Sequence, residues 1–525
     1  VIQILLVATL AWPLAFLAAC FVRPWRPRAL AWQFLAPAPG LAAGLMGLSG
    51  PPVSVSALGF VLRLDAPGAL LLAFAALLWI VVSATLWRDK DARFGVCWLL
   101  TMIGSLGVFV AGDLVSFYLL YALVSLPAYG LFAFSDDPEK QRAGAVYLAF
   151  ALAGEAVLLA AFALLAAGAP QGVGIAEVMA ALPASPWRGA VLVLVVAGFG
   201  MKMGLVPFNG WMPLNYRAAP IPVAAVLSGA GVKAGVIGLL RFLPFEAPLA
   251  EAGGALAILG FVTAFYGVVV GLTQRDAKNV LAYSSISQMG VISAALGLGL
   301  AAGQVSAAGD MAFYAANHLL VKAALFVALG ALAVRRPVWA LALAGALALS
   351  LAGLPLTGGA LAKLASKAQF DAGWAKVLAT LSSIGSAMLM THFLTRLVSG
   401  EAEAASETPV PLARVWPALA LGALFLPWAF AVDPGKALTL DALWDGFWPV
   451  AIGVALAPVW RRLSVPQIPT GDSIVFFERG FARLVRLGPA FERADVGLRQ
   501  WPAAGVSLLV IVLALLAAGL GDFVR

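Results

Sequence analysis

Six ionisable side chains stand inside otherwise apolar runs of this sequence: Lys202, Lys233, Lys322 and Lys363, with Glu155 and His318. A charged group at the centre of an isolated membrane span costs about 3 kcal/mol on insertion scales. The four lysines and the glutamate together oppose insertion by roughly 15 kcal/mol unless they face protein or water, so they must point into a bundle interior. There a lysine is a tunable proton site. Removal from water disfavours the ammonium and a neighbouring carboxylate favours it, so amines separated by polar groups or water can pass a proton along. His318 and Lys322 are four apart in NHLLVK and share a helical face, so the imidazole can relay to the amine; the plainer alternative is a packing histidine. Lys367 and Lys376 read as residues whose stems run along apolar surface to water, and His392 in MTHFLTR as packing or interfacial. Lys233 and Lys322 lie too deep in their runs for that explanation.

Polar neighbours reinforce this chemistry. Tyr283, Ser284, Ser285, Ser287 and Gln288 in AYSSISQMG make one end of an apolar span polar, able to bond across helices or hold water. GAGVKAG at 229–235 is glycine-rich but lies within an apolar run with no strand before it, which argues against a dinucleotide loop.

The elements that must hold these groups are membrane helices. Of 525 residues, 62% are hydrophobic and 33 basic plus 25 acidic residues are the only charged ones, whereas a soluble domain needs about a quarter of its residues charged. The net charge of +8 is spread in short clusters between apolar runs, which marks membrane topology and excludes nucleic acid as a partner. Two cysteines, Cys20 and Cys97, and two histidines, with no metal-ligand spacing, exclude an iron–sulfur cluster or structural zinc. No cofactor or metal is expected. The opening run to Val22, followed by Arg23, Arg26 and Arg28 and lacking a small-residue cleavage site, reads as a first transmembrane helix.

Apolar runs place spans near 1–22, 29–49, 67–87, 94–110, 113–134, 142–168, 189–219, 221–243, 254–273, 279–300, 309–334, 339–373, 376–398, 411–431, 446–460 and 501–522. The fold class is an all-α polytopic membrane protein of about 14–16 transmembrane helices. Through the first fourteen, loops after odd-numbered spans hold fourteen Lys and Arg and those after even-numbered spans hold four, which puts the odd loops in the cytoplasm. The seventh span is interrupted by Pro207 and Pro213 and the twelfth by Pro355, Gly358 and Gly359. Interrupted helices in corresponding positions of two halves point to inverted repeats around an ion site, and Lys202 before one break with Lys363 after the other fits such inversion. The expected organisation is N-terminal helices at 1–93, a first repeat at 94–244, a second at 254–400, and C-terminal helices at 401–525. Within the last region, 463–500 carries an interfacial amphipathic segment in which Phe477, Phe481 and Leu484 share a face.

GFGMKMGLVPFNGWMP, LSGAGVKAG, QRDAKNVLAYSSISQMG, NHLLVKAALFVALG and AGLPLTGGALAK together resemble the antiporter-like, proton-conducting membrane subunits of respiratory complex I, of Mrp cation/proton antiporters and of membrane-bound hydrogenases. The resemblance covers about residues 94–400. It implies that Lys202 is the seventh-helix lysine, Lys233 the eighth-helix lysine, His318 and Lys322 the central pair, and Lys363 the terminal lysine of a hydrated midplane axis. It also implies proton movement coupled to a partner reaction or a second ion, sodium or potassium, inside a larger complex of membrane subunits in a bacterial inner membrane. The sequence departs from the family at Tyr121 and Ala122, where a Trp-Glu pair is usual, at Tyr314 and Asn209, where histidines are frequent, and at Leu214, which replaces an aspartate. Glu155, the one acidic residue deep in the first repeat, is expected to supply the missing carboxylate to Lys202, with Asp113 a weaker candidate at a water-facing helix end. The rival functions are a membrane subunit of proton-driven inorganic-carbon uptake with a carbonic-anhydrase-like partner, and a non-conducting scaffold.

Overall fold

Aspartates and prolines begin many of the helices, and Gly130, Gly168, Gly204 and Gly303 stand at the C-terminal caps of some. Asp65, Asp91, Asp113, Asp137 and Asp276 each accept a backbone N–H from the first turn of the helix that follows, satisfying donors that a helix N-terminus otherwise leaves free. The computed structural model describes residues 1–57, 59–86, 91–134, 136–169, 172–333, 336–371, 373–399, 409–463 and 465–474.

The first spans are α1 (Ile2–Phe21), a proline-interrupted pair α2 (Arg26–Trp32) and α3 (Ala38–Gly47), and, after a hairpin of β1 (Val53–Ala57) and β2 (Phe60–Leu64), α4 (Ala66–Thr85). Next come α5 (Ala92–Gly107), α6 (Leu114–Tyr129), α7 (Pro138–Ala167) and the short α8 (Ile175–Ala181). The seventh span is broken as expected into α9 (Arg188–Met203) and α10 (Trp211–Ala218). The eighth consists of α11 (Ile221–Val226) and α12 (Lys233–Phe242) joined by a π-helical turn at Leu227–Gly231. Beyond these lie α13 (Ala250–Thr273), α14 (Ala277–Ala302), α15 (Ser306–Ala331), the two arms of the twelfth span, α16 (Val338–Ser350) and α17 (Gly358–Ser366), then α18 (Gly373–Ser399), α19 (Val410–Phe425) and α20 (Leu440–Arg462). Eleven helices among the described residues are long and apolar enough to cross a membrane; the fourth, fifth, seventh and twelfth spans are made of shorter helices. Residues from Asp472 belong to a second compact unit. The amphipathic face at Phe477–Leu484 and the span at 501–522 lie outside the described residues.

Among the described residues, the named loop contacts fall into two sets. After even-numbered spans, the hairpin pairs with Ala111, Asp113 pairs with Gly174, Leu249 N–H bonds Leu300, and Gln369 bonds Asp310. After odd-numbered spans, Arg217 pairs with Glu139 at 3.2 Å and Lys278 donates to Arg217 and Ala219 carbonyls. That is the alternation the Lys/Arg distribution requires.

α15 runs through the centre, with every residue from Met311 to Gly330 buried. It is all-round apolar apart from the groups that carry chemistry, as a core helix should be. Beside it, α13 and α14 approach backbone to backbone through Gly253, Gly260 and Gly267 on one side and Gly290 and Gly297 on the other. A Cβ at Gly260 would stand 2.3 Å from Ala294 N and 2.6 Å from Gly290 O. Small residues are what permit such contact in a bilayer, where packing replaces the hydrophobic effect between helices. Gly254, one residue from Gly253, faces open space. We expect Gly260→Ala to lower thermal stability in detergent by about 1–3 kcal/mol through overpacking and Gly254→Ala to leave it unchanged; equal effects of the two would contradict this packing.

Candidate functional site

The first break is made by Gly204, whose left-handed φ of 71° stops α9, and Trp211 braces it by donating Nε1–H to the Met201 carbonyl at 2.8 Å. Lys202 sits in the last turn before the break, where the helix C-terminus favours a cation. It is 8% exposed, and its Nζ donates to Ser125 Oγ at 2.8 Å. The rings of Tyr121 and Tyr147 lie 5.9 and 5.6 Å away, close enough for cation–π attraction. Tyr147 in turn donates its hydroxyl to the Ser125 carbonyl at 3.1 Å. Glu155, 5% exposed, approaches the same serine and interacts with the Lys202 charge without a direct ion pair. Its Oε1 is buried and unpartnered. A small cavity bounded by Ser125, Tyr147, Gly154, Lys202 and Trp211 adjoins the group.

A second cluster depends on the π turn. Within this i→i+5 winding Lys233 Nζ donates to the Ser228 carbonyl at 3.0 Å. The same Nζ lies 2.7 Å from His318 Nδ1. A proton between two bases at that distance can reside on either. Gly229 lets the turn lie against α15, its missing Cβ falling 3.1 Å from the Leu319 carbonyl. One turn along α15, Lys322 Nζ donates to the Leu281 carbonyl at 2.5 Å and to Ser284 Oγ at 2.6 Å. Lys233, His318 and Lys322 are fully buried, so their charges act on one another across little solvent.

In the other direction along α15, Tyr314 donates its hydroxyl to Gln288 Oε1 at 2.6 Å, and Gln288 Nε2 donates to Ser386 Oγ at 3.1 Å. Lys363 lies near this chain's end on α17 and donates to Ser383 Oγ. Its side chain crosses the second break at Gly353, where a Cβ would meet Lys363 Cδ at 2.3 Å. A cavity of about 230 Å³ runs from Gln288 and Tyr314 past Lys363 to Asp371 and Lys376. The exposed pair Lys367–Asp445, 3.1 Å apart, stands at its mouth.

Five of the six expected site residues are buried and Lys363 is half-buried beside the cavity, and together they fall in three groups. No hydrogen bond among the described residues joins Lys202 to Lys233, although their helices touch: a Cβ at Gly235 would be 3.3 Å from Lys202 Cβ. His318 contacts Lys233 directly, whereas its spacing in the sequence pairs it with Lys322. Asp113 is not a water-facing group. It is 6% exposed, caps α6 through Val115 and Ser116 and accepts from Val61 N–H of the hairpin, so its acceptor capacity is already used. His392 bonds the Gln274 carbonyl at 2.8 Å, a packing role. Asn209 is buried with both amide atoms unpartnered. Ser125, Tyr147 and Ser383 join the site without standing out in the sequence. Only Ser383 has a signal there, the TLSSIGS run that mirrors AYSSISQ.

Residues 111–391, over half of the chain, match the NADH:quinone oxidoreductase/Mrp antiporter transmembrane family. The NADH-quinone oxidoreductase subunit N of Deinococcus radiodurans is 34% identical over 374 residues, 66% of this chain and 75% of that one. A component of a probable K(+)/H(+) antiporter of Rhizobium meliloti is 33% identical over 285 residues, 52% of this chain and 28% of that one. In three dimensions the chain is similar to one in the Mrp complex from Dietzia sp. DQ12-45-1b, with a TM-score of 0.72 at 22% identity, covering 99% of this chain and 63% of that one. It is similar also to a chain of the membrane-bound sulfane sulfur reductase, an archaeal respiratory membrane complex, with a TM-score of 0.68 at 22% identity, covering 98% and 100%. At that identity the likeness speaks for the fold. Fold, family match and relatives agree: the chain belongs to the NADH:quinone oxidoreductase/Mrp antiporter family of multi-pass membrane proteins and is an antiporter-like subunit of that type.

Proposed function

We propose that this chain moves protons across a bacterial inner membrane, as one subunit of a larger complex, along the row Lys202, Lys233, His318, Lys322 and Lys363. The observation that carries the proposal is the fully buried Lys233–His318–Lys322 group, three bases within one helix face and its neighbour. Ionisable groups inside a membrane are costly to insert, and groups held there by protein partners mark ion pathways and proton relays. In this scheme Lys202 takes a proton beside Glu155, which replaces the carboxylate lacking at Ala122, and the first cluster passes it to Lys233. His318 accepts at Nδ1 as Lys233 gives up its proton; Lys322 is the next base, one turn away. From the centre, Tyr314, Gln288 and Ser386 hold the hydrogen-bonded route toward Lys363, and the 230 Å³ cavity releases the proton at the Lys367–Asp445 mouth.

Two halves related by inversion, 94–244 and 254–400, supply the two broken spans. In support, Lys202 precedes its break and Lys363 follows its own. The relatives include components of a quinone oxidoreductase and of a probable K(+)/H(+) antiporter, so the energy source is a redox reaction in a partner protein or a second ion gradient.

Lys202→Ala and Lys322→Ala are expected to abolish proton-coupled activity of the reconstituted complex while leaving its assembly intact; wild-type transport by both would favour a scaffold instead. Tyr314→Phe keeps the ring and loses the donor to Gln288, and should slow turnover by about tenfold, about 1.4 kcal/mol on the barrier. An unchanged rate in that variant would remove Tyr314 from the path. Glu155→Gln should cut activity by a similar factor, about tenfold, and a fully active variant would leave Lys202 without its proposed acid.

A further inference from the structure

Four phenylalanines from four different helices meet in the first half of the chain. Phe117 of α6 touches Phe162 of α7, Phe199 of α9 and Phe242 of α12 at centroid distances of 6.0, 5.7 and 5.1 Å, all edge-to-face. Phe242 also packs on Phe162 at 4.8 Å and on Phe199 at 5.7 Å. Phe117, Phe199 and Phe242 are wholly buried and Phe162 is 5% exposed. Rings at these separations are in van der Waals contact, and a phenyl group offers no site for a hydrogen-bonded proton. The missing side chain at Gly238 lets α12 rest directly on Phe199, where a Cβ would be 2.3 Å from the ring.

Position gives this layer its meaning. Along α6, Phe117 stands eight residues before Ser125, the partner of Lys202, a rise of about 12 Å. Phe199 precedes Lys202 by one turn, and Phe242 ends α12. The rings therefore separate the Lys202–Glu155 group from the face that carries Asp113 and the hairpin, the face the Lys/Arg count places outside. Behind the rings on that face lies a second barrier. Arg241, with a side chain 7% exposed, donates to the Phe109 carbonyl at 2.6 Å and to the Ala111 carbonyl, and stands 3.5 Å from Asp65. The engaged guanidinium fills this face beside the rings as part of a fixed ion pair. At the same face of the second half, the 230 Å³ cavity leaves Lys363 open.

We infer that the Phe117–Phe162–Phe199–Phe242 layer is the insulator that makes transport vectorial: it blocks the short path from Lys202 to the outer face, so that a proton taken up there can leave only through the second half. This rests on the proposed proton row. The test measures passive proton conductance of the assembled complex in proteoliposomes, with a pH-sensitive dye, an imposed membrane potential and no driving reaction. Phe117→Ala and Phe242→Ala should each raise that conductance by roughly tenfold or more, Phe117→Leu, which keeps apolar bulk, should stay near wild type, and adding Lys202→Ala should return the leak to baseline. Should Phe117→Ala fail to assemble, Phe162→Ala reads the same layer. Assembled alanine variants as tight as wild type would overturn the inference while leaving the proton row standing. A leak indifferent to Lys202 would also overturn it, by showing a hole unrelated to the row. Loss of the row itself is read separately, from coupled transport that survives Lys202→Ala.

Discussion

A lysine inside a bilayer must be solvated by something other than water in bulk, and in this protein the solvent is backbone carbonyl and serine hydroxyl oxygen on adjoining turns and helices. Ser228, in the π turn, offers its carbonyl to Lys233, and Ser125, Ser284 and Ser383 offer hydroxyls to Lys202, Lys322 and Lys363. Irregular winding lies beside one of these oxygens, at Ser228, whereas Leu281 and Ser284 belong to the continuous α14. The breaks, the π turn and the close glycine contacts thus form one system. Gly204 and Gly353 permit the interruptions, Gly229 brings the π turn against α15, and the α13–α14 glycines hold Leu281 and Ser284 where Lys322 can reach them.

The same constraint sets the contrast between the two halves. Around Lys202 the oxygen acceptors are few and the space beyond them is filled with aromatic rings. Around Lys363 the break opens onto a cavity lined partly by serines and lysines. An arrangement that gives every amine a partner yet opens differently on its two halves is what directional movement along a single row requires.

Much of this is legible in the sequence, for definite reasons. Spans show as apolar runs, and the breaks show because prolines and glycines cluster at them, although Pro213 itself falls inside α10 and Gly358 and Gly359 open α17. The lysines stand out because charge is costly in a membrane. What does not show is whatever depends on a neighbour or a small change of winding. The π turn leaves only two glycines in LSGAG as its trace, and Ser125 in ALVSLPAY looks like any small residue until Lys202, distant in sequence, reaches it. The hairpin does have a signal, the alternating VSVSA and FVLRL around Gly59, which an apolar background conceals. Asp113 departs from its expected exposure because its cap, the hairpin N–H and Ser116 enclose it; position at a helix end does not mean contact with water.

The central claim is that buried amines and imidazole exchange protons along a wet interior path. A cryo-electron microscopy map of the assembled complex, at a resolution that shows ordered water, tests it most directly. The account predicts water density bridging Lys202 to Lys233 and continuing from Gln288 through the cavity at Lys363. Tightly packed apolar side chains filling those gaps in every state observed would contradict it.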